Sequence, residues 1–402
     1  FKDYRRSMKH TEINGIRWFL KDKTIGGILK GFYKDKDKKR GHFTAGHSNV
    51  KIFIKSFKEK GFYGFVRNRV LPRGKKEFLV GMKLTALSIL TPEPLGYGIS
   101  DSGSYVVQKW IDGITFIDAY GRSDKKTEML IKLASLLKAL KTFHIRHNDL
   151  HLNNILYKDG ALYLVDLHKM QIKRSFSLTD EVSNLAHAIT MVYQDMDEGE
   201  KDAFFREYGD EGIKSHVETE LRRLRHRWIK KKMDRAFDDT SMMTTKDDCV
   251  YIAGCEGLGK GVLVAVLKDD RKTRVERFSD HIRKTYRDSR RLKRAWKNHV
   301  ALTYLNLDIV PRAFFVKKPS LSAHCFVAME DISGRGEELD RYLDRRYDNL
   351  SVNEKRRFVN KLSTFFAHAV RHWVAHRDVK ACNIFVLEND HFMFLDVEDI
   401  VF

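Results

Sequence analysis

Two stretches of this chain repeat one pattern of apolar and polar positions. Residues 136–170 (LLKALKTFHIRHNDLHLNNILYKDGALYLVDLHKM) and 365–400 (FFAHAVRHWVAHRDVKACNIFVLENDHFMFLDVEDI) each open with apolar residues at helical spacing. Each then passes through a polar loop into two short apolar strands, the second ending on an aspartate. Upstream, residues 75–98 and 293–316 both predict a helix, a Pro-marked turn and a strand. An apolar strand running into an acidic turn follows in both cases, at 105–113 (YVVQKWIDG) and 325–334 (CFVAMEDISG). A repeat this long predicts two duplicated domains rather than a solenoid.

The pattern breaks at 238–248 (DDTSMMTTKDD), which places the domains at residues 1–240 and 241–402. In the first, residues 180–235 read as helices of a lower lobe, with Val182, Leu185, Ala186 and Ile189 at helical spacing. The second has no counterpart to these helices, because the sequence stops soon after Asp396. That lobe is expected to be minimal, or the chain to be cut there. The apolar run 261–267 (GVLVAVL) reads as a buried strand, far short of the ~20 residues that cross a bilayer.

Composition adds little about fold and something about partners. At 402 residues, 42% hydrophobic and 32% charged, the chain is an ordinary globular protein with material for two cores. Its net charge of +21 implies attraction to something anionic: nucleic acid, phospholipid headgroups or a phosphorylated substrate. Cys249, Cys255, Cys325 and Cys382 show no C-x-x-C pairing, so a reducing compartment fits. The chain opens on Phe1 with a polar, basic stretch and no apolar signal core, as a fragment would.

The chemistry lies in the polar loops. Phosphoryl transfer from ATP needs a carboxylate for the acceptor hydroxyl, a second for Mg²⁺, an amide to complete the metal shell and a lysine on the phosphates. HNDLHLNN supplies Asp149 as the catalytic carboxylate and Asn154 as the amide, and Asp166 follows at the end of a strand as the metal carboxylate. Lys55, on the alternating strand NVKIFIKSF, is the candidate phosphate lysine, and Glu77 on the following helix is its candidate partner. A solvated strand lysine and a surface helix charge are the plain alternatives for these two. The turn 41–49 (GHFTAGHSN) is a candidate phosphate cover.

The second copy offers HRDVKACN, with Asp378 as catalytic carboxylate and Lys380 and Asn383 in place, and then Asp396 as metal carboxylate. Ala295 stands where the helix glutamate belongs, so the lysine–glutamate pair is expected to be missing. Lys268 is the candidate phosphate lysine. The segment 254–261 (GCEGLGKG) has P-loop spacing, but Gly261 replaces the metal-binding Ser or Thr, and strand-like runs flank it on both sides. A glycine-rich hairpin over the nucleotide, or a plain turn, suits it better.

The run VDLHKMQIKR (165–174), together with HNDLHLNNIL, resembles the lipopolysaccharide core heptose kinases and related sugar kinases. SRRLKRAWKNHVAL, VAMEDISG and HRDVKACNIFV resemble the broader lipopolysaccharide kinase family. The resemblance implies an α+β fold of tandem protein-kinase-like domains, each a small β-rich upper lobe and a helical lower lobe, the second truncated. It implies ATP and Mg²⁺ as cofactors, and a heptose or related inner-core sugar on lipid A as acceptor. It also implies a cytoplasmic location, peripheral at the inner face of the membrane. His168 would be a family feature near the acceptor or a packed structural histidine, and His151 and Asn153 share that ambiguity. Basic stretches at 34–40, 225–235 and 283–297 suit an anionic membrane surface, where each Lys or Arg adds roughly 1 kcal/mol. Alternatives remain: a protein or small-molecule kinase of the same fold, against which the lack of an APE-type run weighs, or a pseudokinase or scaffold role for the second domain. No aromatic-interleaved basic motif supports nucleic-acid binding.

Overall fold

A computed structural model describes residues 8–30, 42–47, 50–58, 61–318 and 325–402. The chain divides into two compact units, Phe1–Leu221 and Arg222–Phe402. The division falls within the helix Lys214–Asp234, upstream of the polar stretch where the sequence pattern breaks.

Unit 1 is built on an antiparallel sheet of six described strands. Their spatial order is Lys9–Ile13, Ile16–Leu20, Pro94–Ser100, Gly103–Lys109, Val50–Lys58, His42–His47. Alternation along Val50–Lys58 sets its two faces: Ile52 and Ile54 are fully buried beside Trp18, Leu29 and Val107, whereas Phe53 and Lys55 point the other way. The helix Arg73–Ala86 crosses this second face. Its first turn presses directly on the strand Gly103–Lys109, where Gly74 N–H donates to Ser104 Oγ at 3.0 Å. A Cβ on Gly74 would lie 2.3 Å from the Tyr105 carbonyl oxygen, so only glycine permits this approach. That contact fixes Glu77, one turn further on.

Below the sheet, the helix Lys126–Thr142 buries Leu130, Leu133, Leu137 and Leu140 along one stripe. The helix Leu178–Ile189 starts at a capping box of Ser177 and Asp180, and Glu198–Tyr208 at one of Asp197 and Glu200. Two short strands, Ile155–Lys158 and Ala161–Leu164, pair antiparallel and carry the loop that ends on Asp166. A β-rich upper part over a helical lower part is the α+β architecture of a kinase-like domain.

In unit 2 seven described strands follow the order Met243–Lys246, Cys249–Ile252, Ala313–Lys317, Phe326–Met329, Ile282–Tyr286, Thr273–Phe278, Leu263–Asp269. The sheet order of unit 1 reappears with one strand added at the edge. Trp296 and Val300 of the helix Ser289–Leu305 pack on Val250, Val316 and Val327. The long helix Val352–Arg371 buries only Phe358 and Ala369.

The apolar run 261–267 differs from its expected burial. It forms most of the edge strand Leu263–Asp269, which among the described residues pairs only with Thr273–Phe278, and Val264 is 60% exposed. Apolar character specifies a strand, but which side is covered depends on neighbours remote in sequence. Among the described residues no helix is long and apolar enough to cross a membrane.

Candidate active site

The loop of unit 1 is shaped by its own side chains. Buried His147 accepts the Asp149 backbone N–H on Nδ1 at 3.1 Å, and Asn154 Nδ2 donates to the Asp149 carbonyl at 2.9 Å. The Asn154 carbonyl in turn accepts Val165 N–H at 3.0 Å, tying the loop to the residue before Asp166. With its nitrogen committed inward, Asn154 presents its oxygen as a donor atom. Burial pushes the His147 imidazole down to about 4, so it stays a neutral acceptor. Asn184, on the helix Leu178–Ile189, holds the same segment from below through His147 N–H at 3.0 Å and the Ile145 carbonyl at 2.8 Å.

The structure brings Lys55, Glu77 and Asp166 together. Lys55 Nζ lies 3.1 and 3.3 Å from the two Glu77 oxygens and is also hydrogen-bonded to Asp166 Oδ1. Glu77 is 1% exposed, which sets aside a surface role for it. Asp166 adopts left-handed backbone angles (φ 61°, ψ 44°), a conformation unusual for a non-glycine residue and concentrated at functional sites. Burial alone would push its carboxyl up. The hydrogen bond from His168 and the Lys55 ammonium outweigh burial and hold it well below the usual carboxylate range.

His168 joins this cluster, with Nδ1 2.9 Å from Asp166 and 3.4 Å from Glu77 and its ring edge-on to Phe57. It packs against the lysine pair and its carboxylates. Glu77, Asp166 and His168 each place a ligand atom within 4.8 Å of the others, a spacing that could hold a metal. The Lys55 ammonium already lies among these acids as their counter-cation. Asp166 with Asn154 offers the alternative hard-oxygen donor pair.

A cleft of about 410 Å³ opens beside the cluster. Lys55, Glu77, Asn154 and Asp166 line its polar end, and Phe53, Trp110, Leu156 and Val165 give it apolar walls. A slot with apolar walls and charge at one end suits a planar ring carrying phosphates. One contact was not foreseen from the sequence: Lys169 Nζ is hydrogen-bonded to the Asp149 carboxylate, with His151 Nε2 3.8 Å from it. The basic residue in DLHK was the available signal. Residues 41, 48 and 49 of the candidate phosphate cover lie outside the described residues, and 42–47 form the edge strand beside Val50–Lys58.

Unit 2 repeats three bonds of the unit 1 loop. Asp378 N–H donates to His376 Nδ1 at 3.2 Å, Asn383 Nδ2 to the Asp378 carbonyl at 2.9 Å, and Leu395 N–H to the Asn383 carbonyl at 3.0 Å. Lys380 lies 2.8 Å from Asp378. Two placements differ from expectation. Lys268 is 58% exposed on the edge strand and ion-paired with Asp270 at 3.2 Å. The lysine at the sheet position of Lys55 is instead Lys284, 2.7 Å from Asp396 and 3.2 Å from Glu398. The Asp396 carboxyl is held below its ordinary value, since Lys284 and, more weakly, Lys268 outweigh burial. Asp396 has φ −90° and ψ 77°, unlike Asp166. Ala295 is fully buried in the core, so the helix supplies no glutamate there. The glycine segment 254–261 folds back on its own unit: Gly259 (φ 93°) packs on Phe315 and donates to Asp280 at 3.0 Å. That is a structural turn.

Residues 67–208 match the family model of the lipopolysaccharide kinase (Kdo/WaaP) family. No curated protein matches the chain significantly. Similar solved structures include WaaP in complex with acyl carrier protein, at 15% identity and TM-score 0.37, covering 50% of this chain and 87% of that one. They also include the aminoglycoside phosphotransferase APH(3'')-Id from Streptomyces rimosus in complex with ADP and streptomycin, at 12% identity and TM-score 0.34, covering 49% and 95%. Unit 1, which contains the matched region, is a phosphotransferase.

Proposed function

We propose that unit 1 transfers the γ-phosphoryl group of ATP to a hydroxyl of an inner-core sugar, a heptose or a close relative, on lipopolysaccharide. The observation that carries the reading is Lys55, held at the polar end of the cleft between Glu77 and Asp166, two residues of the region 67–208 that matches a lipopolysaccharide kinase family. In a kinase-type site that pairing is the competent arrangement. The adenine would lie between the apolar walls, with the phosphates toward Lys55.

Asp166 and Asn154 would hold Mg²⁺, which neutralises charge on the phosphates when bound. Asp149 takes up and orients the acceptor hydroxyl and receives its proton as the O–P bond forms. In the structure Asp149 is bonded to Lys169, so an arriving hydroxyl shares the carboxylate with an ammonium. The net charge of +21 supports a location at the inner face of the cytoplasmic membrane, next to an acceptor carrying phosphates and carboxylates. The shared strand order and the matched loop bonds support reading the two units as a tandem duplication.

The test is transfer of ³²P from γ-labelled ATP, offered with core oligosaccharide, model proteins and small alcohols, and mass spectrometry of the core. One phosphate gained by the oligosaccharide, lost in Asp149→Ala, is expected. Label on protein alone would sink the sugar assignment.

A further inference from the structure

We infer that Glu398 takes over in unit 2 the lysine-positioning role that a helix glutamate plays in unit 1, so that Lys284, Asp396 and Asn383 form a second site for a nucleoside polyphosphate and its divalent cation. The inference rests on the geometry of unit 2 set beside that of unit 1 and stands whatever acceptor unit 1 uses.

Sheet position identifies the lysine. Lys55 lies on a strand flanked by His42–His47 and Gly103–Lys109, and Lys284 on a strand flanked by Thr273–Phe278 and Phe326–Met329, at matching places in the two sheets. Each ammonium sits between two carboxylates, one of them the aspartate that follows the catalytic loop. For Lys55 the second is Glu77, from the helix. For Lys284 it is Glu398, two residues beyond Asp396.

The elements have exchanged charges. In unit 1 the helix brings an acid, and the position two beyond the aspartate brings His168. In unit 2 the helix Ser289–Leu305 brings Arg291, whose Nη2 lies 2.8 Å from Glu398, and the position two beyond the aspartate brings the acid. Glu398 is fully buried and also accepts from Tyr286 OH at 3.2 Å. A carboxylate that deep needs its charge matched, and two cations converge on it. A lysine so held cannot swing away to solvent. It is fixed beside Asp396, where the phosphates of a metal-bound nucleotide belong. Asp396 keeps 34% of its side chain exposed, so the cation site is open to the outside. The hairpin next to the lysine strand carries Lys268, whose charge already reaches Asp396.

The competing account makes the same contacts a structural knot that closes Lys284 off. Titration calorimetry of the full chain with Mg·ADP separates the two. Two equivalents are expected for the wild-type chain, one for Lys284→Met, one for the Lys55→Met, Asp166→Asn double variant, and none when all three changes are combined. Asp396→Asn, at a part-exposed residue, is the second variant should Lys284→Met fail to fold, and it too should remove one equivalent.

In the double-variant background Glu398→Gln should weaken Mg·ADP about tenfold or more, the worth of a charge-assisted hydrogen bond, while leaving adenosine affinity unchanged. Glu398→Asp should recover part of the loss. A positioning residue acts through the lysine on phosphates, whereas a structural one would lower adenosine and ADP binding together. A single equivalent in the wild-type chain, or parallel loss of both ligands, overturns the proposal.

Discussion

Asp180 offers a direct test of what holds the candidate catalytic loop of unit 1. Its carboxylate is 1% exposed, 2.7 Å from Arg146 Nη1 and 2.8 Å from Ser177 Oγ, and ion-paired with Lys173. Arg146 lies just before the loop and Lys173 just after the run containing Asp166, so one carboxylate clamps both flanks. Asp180→Asn keeps the shape and removes the charge. Arg146 and Lys173 are about one-third exposed, so each pair is worth about 1 kcal/mol at most after screening, and the weakened cap adds a few tenths, for a total near 2 kcal/mol.

For a unit of this size that lowers Tm by about 4–8 °C. Scanning calorimetry should show the unit 1 transition shifted and that of unit 2 in place. The pH dependence is a second check. Burial would raise the Asp180 carboxyl, but bonds from Lys173, Ser177 and Arg146 hold it well below the usual carboxylate range. A group depressed in the folded state contributes fully above its unfolded value near pH 4, and that contribution fades as pH falls further. Variant and wild type should therefore converge between about pH 4 and 2. A gap independent of pH, or equal shifts in both transitions, would refute the clamp.

Three more outcomes follow from the same contacts. Glu77→Gln should leave Lys55 tethered to Asp166 alone and weaken Mg·ADP binding at unit 1 about tenfold, read by calorimetry in a Lys284→Met background. Lys169→Met should slow phosphoryl transfer to the acceptor while leaving Mg·ADP affinity within about twofold, because Lys169 touches Asp149 and not the nucleotide cluster; an equal fall in both would show it is a nucleotide contact. Burial, with Lys284 adding to it, pushes buried His299 down to about 3, so the folded state declines a proton that the unfolded chain accepts below about pH 6.5. Unit 2 should lose up to about 1.4 kcal/mol of stability per pH unit between 6.5 and 3 from this histidine, and His299→Gln should flatten that slope in urea titrations.

The candidate catalytic loops were legible as loops because their bonds are local. Asp149 with Asn154, and Asp378 with Asn383, are joined by bonds spanning five residues, so spacing alone reveals them. Lys55 and Glu77 were within reach for a similar reason, one on an alternating strand and one on the next helix. Lys284 and Glu398 were not. They meet across 114 residues, through sheet register and the loop after Asp396, and no spacing rule encodes that. Their signals were faint: the alternation in IRKTY, and an acid in DVED at the place DLH gives a histidine. Lys268 drew attention because it follows an apolar run, but its strand lies two removed from the lysine's assigned place in the sheet. The helix carries no glutamate at Ala295, but the expected loss of the lysine–glutamate pair does not follow, because Lys284 pairs with Glu398. The glutamate's supply from another element is a tertiary fact.

The edge strand Leu263–Asp269 has a consequence for how the protein behaves in quantity. Its outer row of peptide groups has no strand partner among the described residues, and its side chains offer apolar surface on an open margin. Such a margin can be extended by the same margin of another molecule. Two register shifts and the charge of Lys268 work against a clean ladder, and the net charge of +21 keeps molecules apart. That repulsion has a reach of only ~10 Å at 0.1 M salt. Light scattering should therefore show self-association that rises with ionic strength, and replacing Val264 or Val266 with lysine should suppress it.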